Sequence, residues 1–459
     1  MAMGKQKTER QQDLWIAATE MPEAPGHPFY RRLNEFLAQE GFDRFVEGLC
    51  QKYYAETMGR PSIPPGVYFR MLLMGYFEGI DSERGIAWRC ADSRTLAGFL
   101  GYGPTESTPD HSSLSVIRQR IDIETHKEVF TWVLKVLAEK GLLKGKTLGV
   151  DATTLEANAA MRSIVRRDTG EAYDEFLTRL AKANGIETPT REDLAKVDKT
   201  RKNKASNKDG TNPHDPDAKV TQMKDGQTHL AHKAEHAVDL QTGAIVAVTL
   251  QGADQGDTTT LAVTLEEAGE NLSEAREDAR DGGSVTETLI GEVVADKGYH
   301  SNDTCRDLTE AGIRTYVSEP DRGRRDWTDK KDEQATVYAN RRRVRGRRGK
   351  ALLRKRGELL ERPFAHCYET GGMRRTHLRR HGNILKRLLV HVAGFNLGLV
   401  MRTLFGIGKP RGLQDGAAAA ILAVLNAILR PVGTLWIRWD RFCRVPTSPT
   451  TEITHCFAV

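Results

Sequence analysis

Residues 147–157 read TLGVDATTLEA, and the apolar run at their start predicts a short strand that ends at Asp151. Residues 292–296 read EVVAD, which predicts a second short strand that ends at Asp296. Acids at the carboxyl ends of adjacent strands point into one shared crevice. We therefore expect the two aspartates to lie close together at one edge of a sheet.

The pattern around these two strands predicts a mixed α/β domain. Residues 229–240 and 244–250 flank Gln241–Thr242–Gly243, which is typical of a β-hairpin. Further helix and strand patterns follow at 258–271, 302–311, 313–318 and about 350–405. The order of strand, hairpin, helix, strand, helix, strand and helix predicts an α/β fold with a mixed sheet and flanking helices. This order resembles the RNase H-like arrangement.

An all-α region is predicted to precede the sheet, over residues 28–145. A helix at 124–140 is expected to end at Gly141, and Ser112 or Ser113 could cap a helix that carries Arg118 and Arg120. Short helices with exposed arginines suit a helix-turn-helix-like DNA reader. A plain helical bundle explains the same pattern equally well, so both interpretations stay open.

Charge is concentrated in one block of the chain. Residues 341–356 read RRRVRGRRGKALLRKR, with ten basic residues in sixteen and no acid, although the net charge of the whole chain is only +6. Such a block suits a polyanion, and we expect it to contact DNA phosphates. The alternative is a solvated basic loop. The arginines proposed to contact DNA are Arg341, Arg342, Arg343 and Arg345.

The 459 residues suggest two to four domains. We predict a helical domain at 1–145 with a probable role in DNA binding, a catalytic domain at 146–405, and a C-terminal helix and tail at 406–459. Within the catalytic domain, residues 162–226 are polar and poor in large apolar side chains, which predicts a mobile insertion with one helix at 171–184. A basic insertion is predicted at 320–356.

Two aspartates on adjacent strands suit metal-assisted cleavage of a phosphodiester bond. In that chemistry two Mg²⁺ ions, about 3.5–4 Å apart, stabilise the attacking and leaving oxygens together. Mg²⁺ prefers carboxylate ligands, and a third acid must come from a helix packed over the sheet. Glu361, in the sequence GELLERPFAH, is the natural candidate. Taken singly, each acid is more often a turn residue, a cap or a solvated side chain.

Three motifs together resemble the bacterial insertion-sequence transposases of the DDE superfamily. VVADKGYHS at 293–301 looks like their second-acid motif, and GVDATTLEAN at 149–158 is similar to their first-acid strand. Glu361-Arg362-Pro363-Phe364 looks like their third-acid motif. The resemblance covers residues 28–405 and implies an RNase H-like core that binds two Mg²⁺ ions through Asp151, Asp296 and Glu361, with Mn²⁺ as a substitute. It also implies cleavage at transposon ends, strand transfer into target DNA, and a homodimer or higher oligomer on DNA.

The third motif departs from the family pattern. Tyr338 and Arg341 keep the usual Tyr-to-Arg spacing, but Glu361 lies twenty residues beyond Arg341, and Tyr368 stands where a base is usual. Glu358 is therefore a rival for the third acid. Three further basic residues are expected to contact DNA: Lys297 beside Asp296, and Arg374 and Arg375 in place of the missing base.

Other features bear on location and on competing functions. The six cysteines are scattered and form no CxxC pair, which fits a reducing compartment. No signal peptide is evident, and the apolar run at 417–429 is too short to span a membrane, so we expect a cytoplasmic protein with no membrane partner. His229 and His232 would face opposite sides of a strand, which disfavours a zinc site. Two alternative functions stay open: a decayed or domesticated DNA-binding protein, and an RNase H-like nuclease.

Overall fold

The computed structural model describes residues 26–55, 62–200, 207–223, 226–323 and 325–413. Contacts within the chain place the described residues up to Gly408 in one compact unit, to which the described residues 409–413 do not belong. The predicted helix at 417–429 lies outside the described residues, as does most of the predicted tail. The division at residue 145 stays a prediction.

Seven α-helices form the N-terminal region, as the sequence predicts. Their bounds are α1 Pro28–Gln39, α2 Phe42–Cys50, α3 Pro65–Glu78, α4 Glu83–Asp92, α5 Arg94–Phe99, α6 His111–Arg120 and α7 Ile123–Glu139. Helix α3 is buried on nearly every side, so its one basic residue needs internal partners. Arg70 is held by the carboxylate of Asp43 and by Asn34. The chain turns after α7 at Gly141, whose φ is +79°.

Helix α6 differs in detail from the prediction. Its N-terminal cap is Asp110, whose carboxylate accepts the backbone N–H of Ser112, rather than a serine. Leu114 and Ile117 are its buried residues. Arg118 is not a free cation on its surface, because its guanidinium lies 2.8 Å from the carboxylate of Glu83.

Six strands form the main sheet. In chain order they are β1 Thr147–Glu156, β2 Lys219–Gln222, β3 Thr228–Asp239, β4 Ile245–Gly252, β5 Glu292–Ala295 and β6 Arg314–Val317. Strand β3 pairs with β2 and β4 at one edge, and the order continues through β1, β5 and β6. The pairs β1–β3 and β3–β4 are antiparallel, whereas β1–β5 and β5–β6 are parallel. This mixed sheet confirms the predicted RNase H-like α/β fold.

Strand β1 does not end at Asp151. It continues to Glu156, because β3 pairs with it antiparallel along this whole stretch, from Leu148 opposite Asp239 to Glu156 opposite Ala231. Asp151 therefore lies in the middle of a strand. Asp296, by contrast, directly follows β5, as predicted.

Helices cover both faces of the sheet. They are α10 Asp257–Asp278, α11 Asn302–Glu310, α12 Lys331–Arg345, α13 Arg347–Phe364 and α14 His381–Phe405. Neighbouring residues of a strand point to opposite faces. Glu235 of β3 accepts a hydrogen bond from Thr260 of α10, and His236 contacts Phe364 of α13. Thus α10 lies on one face and α13 on the other.

Two segments are more ordered than the sequence suggests. The polar insertion contains two helices, α8 Tyr173–Ala183 and α9 Arg191–Thr200, where one was predicted, and it also supplies edge strand β2. The basic block is helical and forms the end of α12 and most of α13. Arginine, lysine, leucine and alanine all have high helix propensity, which explains why the block is not a loop.

Helix α14 connects the sheet to the helical region. It packs against α3, α7 and β4, and the side chain of Asn396 bonds both the N–H and the C=O of Ile245. Among the described residues, it is the one helix long and apolar enough to cross a membrane, but 67% of its most apolar window is buried inside the protein. Its composition therefore fits a core helix.

Candidate active site

The parallel register of β1 and β5 brings Asp151 and Asp296 to the same level of the sheet. Thr147 lies opposite Glu292 and Gly149 lies opposite Val294. Asp151 and Asp296 each follow this last pair by two residues. Because neighbouring strands lie about 4.8 Å apart, we infer from the register that the two aspartates lie near each other.

Beyond Gly149 the edge of β1 no longer pairs with β5, because β5 ends at Ala295 while β1 continues to Glu156. The segment Arg374–Thr376 lies along this open side of β1. The N–H of Glu156 donates to the C=O of Arg374 at 2.9 Å, and the N–H of Thr376 donates back to Glu156 at 2.8 Å. The Arg374 guanidinium donates to Oγ1 of Thr153, two residues beyond Asp151 on the same face. Arg374 therefore lies beside β1, where its guanidinium also pairs with Glu369 at 2.6 Å; its contact with DNA stays a prediction.

Arg356 of α13 pairs directly with Asp151. Its guanidinium lies 2.8 Å from Oδ1 of Asp151, and the two side chains are only 12% and 25% exposed. The same guanidinium donates to the C=O of Val150. In the sequence Arg356 is the last residue of the basic block, and no motif assigns it an individual role. The sequence could not single out Arg356 as the partner of Asp151, because nine other basic residues belong to the same block.

Asp296 caps the turn that follows β5. Its Oδ1 accepts the N–H of Gly298 at 2.8 Å, and the adjacent Lys297 is exposed. A second acid, Asp257 at the start of α10, crowds the same glycine. A Cβ built on Gly298 would lie 2.3 Å from Oδ2 of Asp257 and 3.1 Å from Oδ1 of Asp296. Sequence reasoning missed Asp257, because an acid at the start of a helix is usually a cap or a dipole partner.

A buried polar cluster supports this turn from the α10 side. The Tyr299 hydroxyl donates to Oε1 of Glu235 at 2.7 Å, and Thr260 donates to the same oxygen at 2.9 Å. Burial, and then the charge of Glu235, raise the pKa of Tyr299, so it stays a protonated donor. Lys233 lies 2.6 Å from Asp257 and 3.8 Å from Glu235. These contacts hold the turn that carries Asp296 against β3 and α10.

His236 is the partner of Asp151 on the other neighbouring strand. Burial lowers the pKa of His236 to about 3, so its ring is neutral at physiological pH. Its Nε2 lies 2.5 Å from the hydroxyl of Tyr368, whose own pKa burial raises well above the usual value. The tyrosine therefore donates to the ring. Nearby His232 instead contacts Asp215 at 3.2 Å.

Glu361 lies on a flank of α13. The sheet-facing side of this helix includes Leu360, which packs at Gly149, while Leu359 lies by Gly243 at the Thr147 end of β1. At 100° per residue, Glu361 is on the flank opposite Leu359, which is the flank toward Asp151. Glu358 lies on the outer face, where Arg362 pairs with it.

Asp151 and Asp296 thus follow the last residue pair of β1 and β5 at the same level of the sheet, whereas Glu361 of α13 is exposed. Within the ranges that the structure describes, no group of three His, Cys, Asp or Glu side chains is close enough to hold one metal ion. The roles of all three acids stay predictions.

The predicted DNA-binding arginines of α12 fall into two groups. Arg341 pairs with Glu319 at 2.8 Å, and Arg343 donates to the C=O of Thr315 at 2.9 Å. Burial lowers the pKa of Arg343. Arg342 and Arg345 are exposed. Beyond α13, Arg375 is also exposed, at 66%, and lies 3.5 Å from Glu156.

An RNase H-like sheet with adjacent aspartates and surrounding arginines defines an enzyme that cleaves or transfers DNA strands. Residues 19–120 match the family described as Transposase domain (DUF772), and residues 191–397 match the family described as Transposase DDE domain. These matches cover about two thirds of the chain, which belongs to the DDE superfamily of insertion-sequence transposases. The second match includes Asp296 and Glu361 and begins after Asp151. No curated protein matches the chain.

Proposed function

We propose that this transposase cleaves DNA at the ends of its element and transfers those ends into target DNA, with Asp151, Asp296 and Glu361 as the catalytic acids. The observation that carries the proposal is the parallel register of β1 and β5, in which Gly149 lies opposite Val294, two residues before Asp151 and Asp296 respectively. The flank position of Glu361 supports its choice over Glu358, whose charge is paired with Arg362 on the outer face.

The chemistry of the two aspartates suits divalent ions, because Asp151 and Asp296 offer hard carboxylate oxygens at the same level of adjacent strands. We propose that Asp151, Asp296 and Glu361 hold two Mg²⁺ ions, with Mn²⁺ as a substitute. Bound ions of this kind activate water and stabilise the charge that develops on the leaving oxygen.

Neighbouring side chains hold the proposed catalytic acids in position. Arg356 fixes the carboxylate of Asp151, and the Tyr299–Glu235 hydrogen bond fixes the turn that carries Asp296. The neutral ring of His236 adds no positive charge next to Asp151. Lys297, which is exposed directly after Asp296, would contact a phosphate that flanks the cleaved bond. We assign Arg374 a weaker phosphate contact, because its guanidinium is paired with Glu369 at 2.6 Å.

DNA would extend beyond the crevice over exposed basic side chains. We assign phosphate contacts to Arg342, Arg345 and Arg375, which are exposed, and weaker roles to Arg341 and Arg343, whose guanidinium groups bond within the protein. The proposal includes assembly of a homodimer or higher oligomer on DNA, and action in the cytoplasm.

The test is cleavage of duplex DNA that carries the regions flanking the coding sequence, with Mg²⁺ and products mapped to the nucleotide. Asp151→Asn, Asp296→Asn and Glu361→Gln should each abolish cleavage and leave DNA binding intact, because an amide keeps the shape of a carboxylate but loses its charge. Glu358→Gln is the matched control on the same helix and should remain active.

Each outcome has a defined meaning. Cleavage by Glu361→Gln with an inactive Glu358→Gln would transfer the third role to Glu358. Active Asp151→Asn or Asp296→Asn would refute the two-metal site. Wild-type binding without cleavage would favour a DNA-binding protein that has lost catalysis, and cleavage of RNA–DNA hybrids alone would favour an RNase H-like nuclease.

A further inference from the structure

An open cleft of about 540 Å³ lies beyond the carboxyl end of β1, between α6 and the N-terminal end of α14. No acid is among its lining residues, which are mostly hydrogen-bond donors. The side chains that matter here come from four separate segments: Gln119, Asn158, His214, His377, Arg379 and Arg380. A cleft of this composition is suited to an anion.

Hydrogen bonds connect the walls of the cleft to Asn158, which lies two residues after the end of β1. The side-chain amide of Asn158 donates to the C=O of His377 at 2.9 Å, and Nε of Arg379 donates to the C=O of Asn158 at 3.0 Å. His377 in turn lies 2.6 Å from Asp81 of the helical region. The cleft is therefore held in place relative to the strand that carries Asp151.

The backbone at Arg380 is strained. Its φ is +69°, a value in the left-handed region that is strained for a residue with a side chain. Two hydrogen bonds hold the conformation: the N–H of Arg380 donates to Asp215 at 3.0 Å, and the N–H of His381 donates to Asp217 at 2.9 Å. The fold thus maintains a costly backbone conformation at the position that brings Arg380 to the cleft.

Charge at the cleft comes chiefly from two residues. Arg118 is neutralised by Glu83. Arg379 and Arg380 are exposed, and within the described part of the chain neither forms a salt bridge with an acidic side chain. The bond of Arg379 to a neutral carbonyl leaves its charge available to a ligand.

We propose that this cleft binds the sugar–phosphate backbone of the transposon-end DNA on one side of the cleaved bond. The inference rests on the proposed function, since that function supplies the DNA. Seven residues of extended chain separate Asp151 from Asn158, which corresponds to about 23 Å. One DNA strand advances 3.4 Å per nucleotide, so the contact falls about seven nucleotides from the scissile phosphate.

The composition of the cleft favours a nucleic-acid backbone. Arginine, asparagine and glutamine side chains are the groups that proteins use to bind phosphates and sugars. The segment from Arg374 to Arg380 also runs continuously from the crevice to the cleft, and exposed Arg375 lies between them. The cleft therefore extends the path that DNA follows away from the catalytic acids.

The test compares wild-type protein with the double variant Arg379→Ala/Arg380→Gly, since glycine adopts the positive φ without strain. The probes are duplexes from the DNA that flanks the coding sequence. The salt slope of binding should become shallower by about 1.8, at about 0.9 per lost phosphate contact. Phosphate-ethylation interference should be lost about seven nucleotides from the cleavage point and retained at the cleaved phosphate.

Two controls separate charge from folding. Arg306→Ala removes an arginine of α11 that is paired with Asp307 and should leave the slope unchanged. Arg379→Lys keeps the charge and should retain the wild-type slope and interference. A double variant with wild-type slope and interference would overturn the proposed cleft. A shallower slope for the double variant, with wild-type protein that never cleaves, would support the cleft and overturn the proposed function instead.

Discussion

Replacing Gly298 with alanine should disrupt the crevice without changing any charge. The new Cβ would lie 2.3 Å from Oδ2 of Asp257, whereas ordinary contact begins at 3.4 Å. Lys233 anchors the other oxygen of Asp257 at 2.6 Å, so the turn that carries Asp296 should take up much of the strain. A displacement of about 1 Å at a catalytic group lowers the rate about 100-fold.

The assay is the rate of cleavage of the flanking-DNA duplexes at saturating protein. Gly291→Ala is the matched control, because its Cβ would meet nothing nearer than 3.5 Å, and it should cleave at the wild-type rate. Adding Asp257→Ala to Gly298→Ala removes the atom that collides and should restore part of the activity. Wild-type cleavage by Gly298→Ala alone would refute the reasoning that ties this turn to the catalytic geometry.

Two further predictions concern the pH dependence of the free energy of unfolding and the contribution of the basic block to DNA binding. Since burial lowers the pKa of His236 to about 3, the unfolded state, with a pKa near 6.5, takes up the proton first as pH falls. The free energy of unfolding should therefore drop by about 2 kcal/mol from pH 8 to pH 5 through this residue, and urea unfolding of His236→Gln should show a smaller drop. In DNA titrations, Arg342→Ala/Arg345→Ala should flatten the salt slope by about 1.8. Arg341→Ala/Arg343→Ala should change it less, and equal effects of the two pairs would contradict the division of α12 into bound and exposed arginines.

Within the described residues, local apolar patterning predicts five of the six strands of the main sheet but misses β2, which lies in the polar insertion. The run Glu292–Ala295 predicts β5 and places Asp296 directly after it, as observed. The length of β1 was not predictable, because the residues after Asp151 are polar and threonine-rich. They form a strand through pairing with β3, and that partner lies about 80 residues away in sequence. Pairing with the distant strand β3, rather than local β propensity, therefore determines the length of β1.

The candidate site could be predicted only where an acid stands next to an apolar run. Asp257 belongs to a helix start, so its position beside Asp296 depends on how α10 packs below the turn. The role of Arg356 could not be predicted from the sequence, because a run of basic residues gives no indication of which side chain points inward. Helical periodicity alone places Arg356 and Leu360 on one face of α13, but only if the block is first recognised as a helix.

The antiparallel pairing of β1 with β3 has a further consequence for how this chain can vary. The chain leaves the sheet after Glu156 and re-enters it at edge strand β2, where Lys219 lies opposite Ala231, the residue that also faces Glu156. The polar segment between Glu156 and Lys219 therefore begins and ends in the same part of the sheet. The entropy of closing such a loop grows only logarithmically, and doubling its length costs about 0.6 kcal/mol. Changes of length within helices α8 and α9 of this excursion, away from Asn158 and Asp215, are therefore nearly neutral for the framework that holds Asp151. Descendants of this chain can lengthen or shorten that part without altering the site.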